Sequence, residues 1–432
     1  MRSSFRFRNP GSLLISVVLL LFPISSRAVP GFSRRYNVKC YACHTIPPVL
    51  NQAGYMFKRL GYHFPPGYEA GSRGMRMNDI VKSEPPWSLE NTASFAVADV
   101  SYSSTRATQE GSAPNSSSTF TLGAWNAYWA GWIPDTNFWY YSEFDIVTGG
   151  NISPTVSNAN FGYTGGSANS SWYVKAGRSH LSVGEGTRAA AVYTNLPTSA
   201  LLFETASPTN FILDHSPVGV GAGYTWASPK YKNILAASVE VTNGLNDDGS
   251  EILGSSPKNS KDVWTEADWW YAPESGISFV NYYGKKFLTQ NLGAPNQFQY
   301  YPVIRRQGVF ANYMFPFKVD LLGGYLRSRD DWSDPATGTP GSYQGNDFYV
   351  ESTYYIRTGT ALAGRYDRLE QKVPLGLGRQ GNRSWEIGFE QALTKSGNVV
   401  VRVGYSDQAG RDPLAAVGST GKSVMADIAF NF

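Results

Sequence analysis

From Trp87 to Phe432 the chain is written in a two-residue alternation. Phe138, Tyr140, Ser142, Phe144 and Ile146 alternate with Trp139, Tyr141, Glu143 and Asp145; Trp385, Ile387 and Phe389 alternate with Glu386, Gly388 and Glu390. Val399, Val401, Val403 and Tyr405 alternate with Asn398, Arg402 and Ser406. Successive side chains of a strand point to opposite faces, so this period predicts strands with one apolar face each. Past Trp87 there is neither a sustained helical period nor an apolar run long enough to cross a bilayer as a helix. Aromatics make up 14 % of the residues, glycines number 44, and mean hydropathy is slightly negative. Strands with one face in lipid and one in water produce that composition. Charge is costly in lipid, so Glu143, Asp145, Arg305, Arg365, Asp367 and Arg402 are expected in the lumen. Their mixed signs should largely neutralise one another, with ion selection a secondary role.

The connections alternate in length. Tight links are expected at Ile133–Asn137, Ala227–Tyr231, Ala272–Gly276, Pro316–Phe317, Thr358–Gly359 and Thr394–Gly397. Long polar loops separate them, at Asn243–Lys261, Lys286–Tyr301, Ser328–Asn346 and Gln408–Thr420. Outer-membrane barrels carry short turns at one end and long loops at the other. Fifteen strands are clear, and an even number is needed to keep this alternation. Parity asks for one more within Leu181–Pro217, with Thr198–Glu204 as the first choice. The last strand alternates apolar Val424, Ala426, Ile428, Phe430 and Phe432 with a mostly polar face. A terminal strand ending in Phe resembles the assembly signal of bacterial outer-membrane barrels. The fold class expected is all-β: a sixteen-stranded antiparallel transmembrane β-barrel over 87–432, preceded by a small α-helical module.

Residues 1–28 read as a secretory signal. Arg2, Arg6 and Arg8 are its basic end, Leu13 to Leu21 its apolar core, and Ser26-Arg27-Ala28 its cleavage site. Four of the 37 basic residues fall in this leader, which leaves as many bases as the 33 acids. A near-neutral mature chain gives no electrostatic case for nucleic acid.

Residues 29–86 contain Cys40-Tyr41-Ala42-Cys43-His44, which uses both cysteines of the chain. Cys-x-x-Cys-His is the attachment signature of c-type haem. Two thiols three residues apart reach the two vinyl groups of one haem edge, and the adjacent histidine lands below the iron. A disulfide or a thioredoxin-like pair is the alternative, but neither needs the histidine. The module is too small for a large core of its own. Phe32 to Lys39 is expected to lead into the motif as a short helix. After Pro47-Pro48, helical spacing of Val49, Ala53, Met56, Phe57 and Leu60 predicts a second helix with Gly61 at its stop. Its apolar face is expected against the haem, or against protein. Met75, Met77 and His63 are the candidates for the distal iron ligand, with an open or other site as the remaining alternative, and methionine would raise the potential relative to a second histidine.

The stretch from Phe32 through Cys40, Cys43 and His44 to Asn51, continuing Phe57-Lys58-Arg59-Leu60-Gly61-Tyr62, resembles the fused monohaem cytochrome–porins of the bacterial outer membrane. Some members of that family are outer-membrane iron oxidases. The resemblance is sharp over about thirty residues and architectural elsewhere. It implies one covalent haem c on Cys40 and Cys43 with His44 on the iron, and a module at or inside the pore. It also implies single electrons passing between an extracellular donor, ferrous iron among them, and a periplasmic carrier such as a soluble cytochrome. Two alternatives stand beside it: a transport porin whose haem is structural or gating, and outward electron transfer to an external acceptor.

Little other chemistry is written in the chain. His180 and His215 lack zinc spacing. The acidic runs Asp247–Glu251 and Asp330–Asp334 are expected in outer loops, where they offer oxygen ligands to Fe²⁺; solvated loop charge is the simpler account. No phosphate loop, nucleophile elbow or dinucleotide fingerprint occurs.

Overall fold

The computed structural model describes residues 42–46, 49–60, 87–103, 115–133, 136–148, 151–167, 169–179, 211, 216–228, 233–244, 261–272, 274–286, 288–290, 298–300, 302–333, 339–372, 379–394, 399–412 and 417–431. Before the barrel come two short strands, β1 (His44–Ile46) and β2 (Val49–Leu50), and one helix, α1 (Gln52–Arg59). The barrel strands are β3 (Trp87–Ser103), β4 (Asn115–Trp132), β5 (Phe138–Thr148), β6 (Asn151–Ser167), β7 (Ser170–Arg178), β8 (Val218–Ala227), β9 (Ile234–Asn243), β10 (Lys261–Ala272) and β11 (Ser275–Lys285). A loop hairpin, β12 (Leu288–Gln290) with β13 (Phe298–Tyr300), interrupts the order. Then follow β14 (Val303–Met314), β15 (Val319–Ser333), β16 (Pro340–Arg357), β17 (Thr360–Lys372), β18 (Arg379–Ala392), β19 (Val399–Asp412) and β20 (Val417–Asn431).

Each barrel strand pairs antiparallel with its chain neighbour, β20 returns to β3, and β9 meets β10, so the sixteen strands form a closed ring. Closure leaves no unpaired edge, which lipid would not tolerate. The strand missing from the sequence reading is β6, not a segment within Leu181–Pro217. Arg178 of β7 pairs directly with Val218 of β8, leaving no place between them for another strand. Thr198–Glu204 itself lies outside the described residues. β6 hides because its register against β5 shifts twice, between Glu143 and Phe144 and between Asp145 and Val147. Each shift flips the alternation, and Pro154 with several Asn and Gly residues weakens the strand signal further.

The described turns at one end are tight: 315–318 joins β14 to β15, and only Thr358-Gly359 joins β16 to β17. Gly359 takes a positive φ of 79°, a conformation glycine adopts without steric penalty. At the other end strands run further than predicted. β15 and β16 leave only 334–339 between them, and β19 and β20 only 413–416.

The two faces are chemically opposite. Along β9 burial alternates residue by residue: Ile234, Ala236, Ser238, Glu240 and Thr242 are buried, whereas Leu235, Val239 and Val241 are exposed. Outward positions elsewhere include Trp129, Phe161, Val220, Phe279, Leu362 and Ile387. An apolar band of this extent around a closed barrel needs lipid as its solvent. The buried residues therefore lie inside the ring.

Candidate haem-attachment site at the barrel mouth

The motif enters the described structure at Ala42. Cys43 lies in the turn before β1, His44 opens that strand, and both are half-buried. Cys40 lies outside the described residues, as do Phe32–Lys39 and the distal candidates His63, Met75 and Met77. β1 folds back on β2, pairing His44 with Leu50. Asn51 then ties the motif to the helix. Its backbone N–H donates to the Cys43 carbonyl at 2.9 Å, and its side-chain Nδ2 donates to the Ala42 carbonyl at 3.2 Å. Its Oδ1 accepts the Gly54 N–H at 3.0 Å, capping the first turn of α1. Gly54 sits against the same Cys43 carbonyl, and a Cβ there would overlap the oxygen.

The donor set fits a c-type haem. A thiol and an imidazole stand on adjacent residues, and the second thiol lies three residues earlier. Cys40 and Cys43 would hold the group, and His44 would supply the proximal imidazole.

α1 occupies Gln52–Arg59, so helix begins after Val49 and Leu50, which pair as strand. Ala53, Met56, Phe57 and Leu60 are buried, as their spacing predicts. Their cover is protein: Tyr55, Met56 and Leu60 form one cluster with Ala227, Ile234, Ala236 and Trp270. Trp270 pairs with Ile234 near the end of β10 that leads into β11, and both face inward. The helix thus rests on the inner wall at the turn end of the barrel.

Polar contacts fix that position. Tyr55 is fully buried, its ring 5.4 Å from Trp270, and its hydroxyl donates to Asp268 Oδ2 at 2.7 Å. Burial pushes the phenol well above the ordinary tyrosine value, with nearby Arg59 opposing and Asp268 and Glu266 adding to the rise. Arg59 donates to the Ala237 carbonyl at 3.2 Å and stacks over Tyr173 at 5.4 Å. Tyr55 and Asn51 escape the apolar pattern because each acts through a polar atom. The available signal for Asn51 was an N-cap residue type just after Pro-Pro.

Deeper in the barrel the lumen is partly filled. Phe211, from the long β7–β8 connection, packs with Trp264, Tyr282, Phe310, Leu326 and Tyr349. Its ring stacks on Tyr282 at 4.6 Å, and the Arg306 guanidinium lies 5.1 Å from it. Several lumen charges pair: Lys175 with Glu240 at 2.7 Å, Arg365 with Asp367 at 2.9 Å, and Arg402 with Glu390 at 3.2 Å. Arg365, Asp367 and Arg402 are therefore where the alternation put them. Arg305 is not: it is exposed on the outer face, and its neighbour Arg306 turns inward to pair with Asp330. Asp330 is accordingly a buried strand residue rather than outer-loop charge. Asp247–Glu251 lies outside the described residues, and among the described residues no group of three His, Cys, Asp or Glu side chains is arranged to hold a metal.

No family model matches the chain, and no curated protein sequence does either. Solved structures do match. An anion-selective porin from Comamonas acidovorans superposes with a TM-score of 0.55 at 11 % identity, covering 81 % of this chain and 100 % of that one. The fold is a porin fold. OmpF of Salmonella typhi agrees at a TM-score of 0.51 and 14 % identity, over 80 % of this chain and 97 % of that one. A loop-deletion form of OmpT, an outer membrane protein of Vibrio cholerae, gives 0.51 and 11 % over 80 % and 100 %. At these identities the likeness carries the porin fold alone.

Proposed function

We propose that this porin-fold chain is an outer-membrane protein with one covalently attached c-type haem at its turn-side, periplasmic mouth. It passes single electrons between an extracellular donor, ferrous iron among the candidates, and a periplasmic carrier such as a soluble cytochrome. The observation that carries this reading is the link between motif and barrel: the helix that follows Cys43-His44 is bonded to the inner wall through Tyr55 and Asp268. When bound, the haem supplies one-electron Fe(II)/Fe(III) chemistry. Cys40 and Cys43 would anchor it and His44 would coordinate the iron, with Met75, Met77 or His63 as candidates for a distal ligand. α1 ties the motif to the lumen wall, and Phe211 with its aromatic neighbours fills part of the lumen.

A transport porin with a structural or gating haem is the second reading, favoured by the porin fold and by the charged lumen. Purified full-length protein should keep haem stain on a denaturing gel, lose it on Cys43→Ala, and show a reduced haem spectrum when Fe²⁺ is added. Wild-type protein without covalent haem would remove the electron-transfer reading. Covalent haem that Fe²⁺ leaves oxidised, together with large conductance in planar bilayers, would make the transport reading the better one.

A further inference from the structure

We infer that Asn51 is the positioning residue of the haem-attachment turn, and that through it the barrel wall sets how Cys43 and His44 are presented. The inference rests on the haem reading above and adds a residue to it. A Cys-x-x-Cys-His loop in a module with little core has no intrinsic reason to hold one conformation. Here three links replace that missing core. Asn51 grips the two carbonyls immediately before His44 with separate donors, its backbone N–H on Cys43 and its side-chain amide on Ala42. The same side chain accepts from Gly54, so the grip is fixed to the first turn of α1. One residue further on, Tyr55 bonds to Asp268 on β10, which also accepts from Ser278 of β11 at 2.5 Å. Motif, helix cap and barrel wall thus form one continuous chain of hydrogen bonds.

The two roles of the Asn51 side chain separate chemically. A carboxylate caps a helix as well as an amide oxygen does, but it has no N–H to give to Ala42. Asn51→Asp therefore keeps the cap and the backbone hold on Cys43 but loses the side-chain hold on Ala42, whereas Asn51→Ala loses both the cap and the hold on Ala42. If Asn51 only caps α1, the aspartate variant should behave as wild type. If it positions the turn, both variants should change the haem while the aspartate variant keeps its helix. The full-length wild type and both variants would be purified with covalent haem. Three quantities would be read: haem-to-protein ratio, reduction midpoint, and the Soret circular-dichroism band. Protection of residues 51–60 from protease serves as the control for the cap and the docked helix.

The expected result is a lowered haem ratio, a moved midpoint and a changed Soret band in Asn51→Asp, with protease protection kept. Groups that orient a metal ligand typically change its affinity by about tenfold or more when removed, so the effect should be well resolved. An aspartate variant matching wild type in ratio, midpoint and Soret band would overturn the positioning role while leaving the haem reading intact. A variant with altered haem but lost protection would equally overturn it, because the cap alone would then account for the change. A wild type with no covalent haem would fail the underlying reading instead.

Discussion

Tyr55 shows how one polar atom places a whole segment. Its ring lies on Trp270 as a hydrophobe, while its hydroxyl satisfies Asp268 in a fully buried setting. Removing one partner of a buried hydrogen bond costs about 1–3 kcal/mol, because the other is left dry and unpaired. Tyr55→Phe should therefore loosen α1 from the wall, seen as faster proteolysis within 51–60 while the barrel stays resistant. The pH dependence has a definite sign. A phenol raised above its ordinary value keeps its proton, so its contribution is fully present below the unfolded-state value near 10 and fades only as pH rises through the raised one. Protection of α1 should thus show no loss attributable to Tyr55 between neutral pH and about pH 10. A loss centred near neutrality would point to another group.

At the scale of elements, α1 is eight residues long, too short to be stable alone in water. It exists because the cap at Asn51 and the inner wall complete it. Gly54→Ala separates the local from the tertiary contribution. Alanine is the better helix former by about 1 kcal/mol, yet its Cβ would overlap the Cys43 carbonyl. Lower covalent haem yield in Gly54→Ala, despite improved helix propensity, is the outcome expected. The strands obey a different rule, that of the solvent each face meets. Val239 lies midway along β9 on the lipid side, so Val239→Arg should cost ~2–4 kcal/mol and reduce the heat-modifiable, folded barrel on gels.

For the whole molecule, the decisive quantity is the number of crossings. β5, β6 and β7 form two consecutive hairpins, so the turns near Asn137 and Asn169 lie at the same end of the barrel. Single cysteines at these two positions, in a haem-free background lacking Cys40 and Cys43, should label from the periplasmic side alone. Labelling from opposite sides would break the ring order. The same ring brings β8, β9 and β10 side by side at the turn end, and that grouping makes the dock for α1 from Ala227, Ile234 and Trp270.

Barrel class and the inward position of Arg365 and Asp367 were legible in the residues, because alternation with a period of two is a local property of strands between lipid and water. The Cys-x-x-Cys-His signature is equally local, and so is the apolar spacing of Ala53, Met56, Phe57 and Leu60. What covers that apolar helix face was not legible, since Trp270 lies more than two hundred residues from Met56 and meets it only through barrel closure. Nor was β6, whose two register shifts erase the alternation and become visible only in its pairing with β5. Arg305 and Arg306 make the same point at one step of the chain. Sequence supplies two adjacent arginines, and the register of β14 decides that Arg306 meets Asp330 inside the barrel while Arg305 faces out. Local periodicity is written in neighbouring residues, whereas register and closure are set by partners distant in sequence, and only the tertiary structure brings those together.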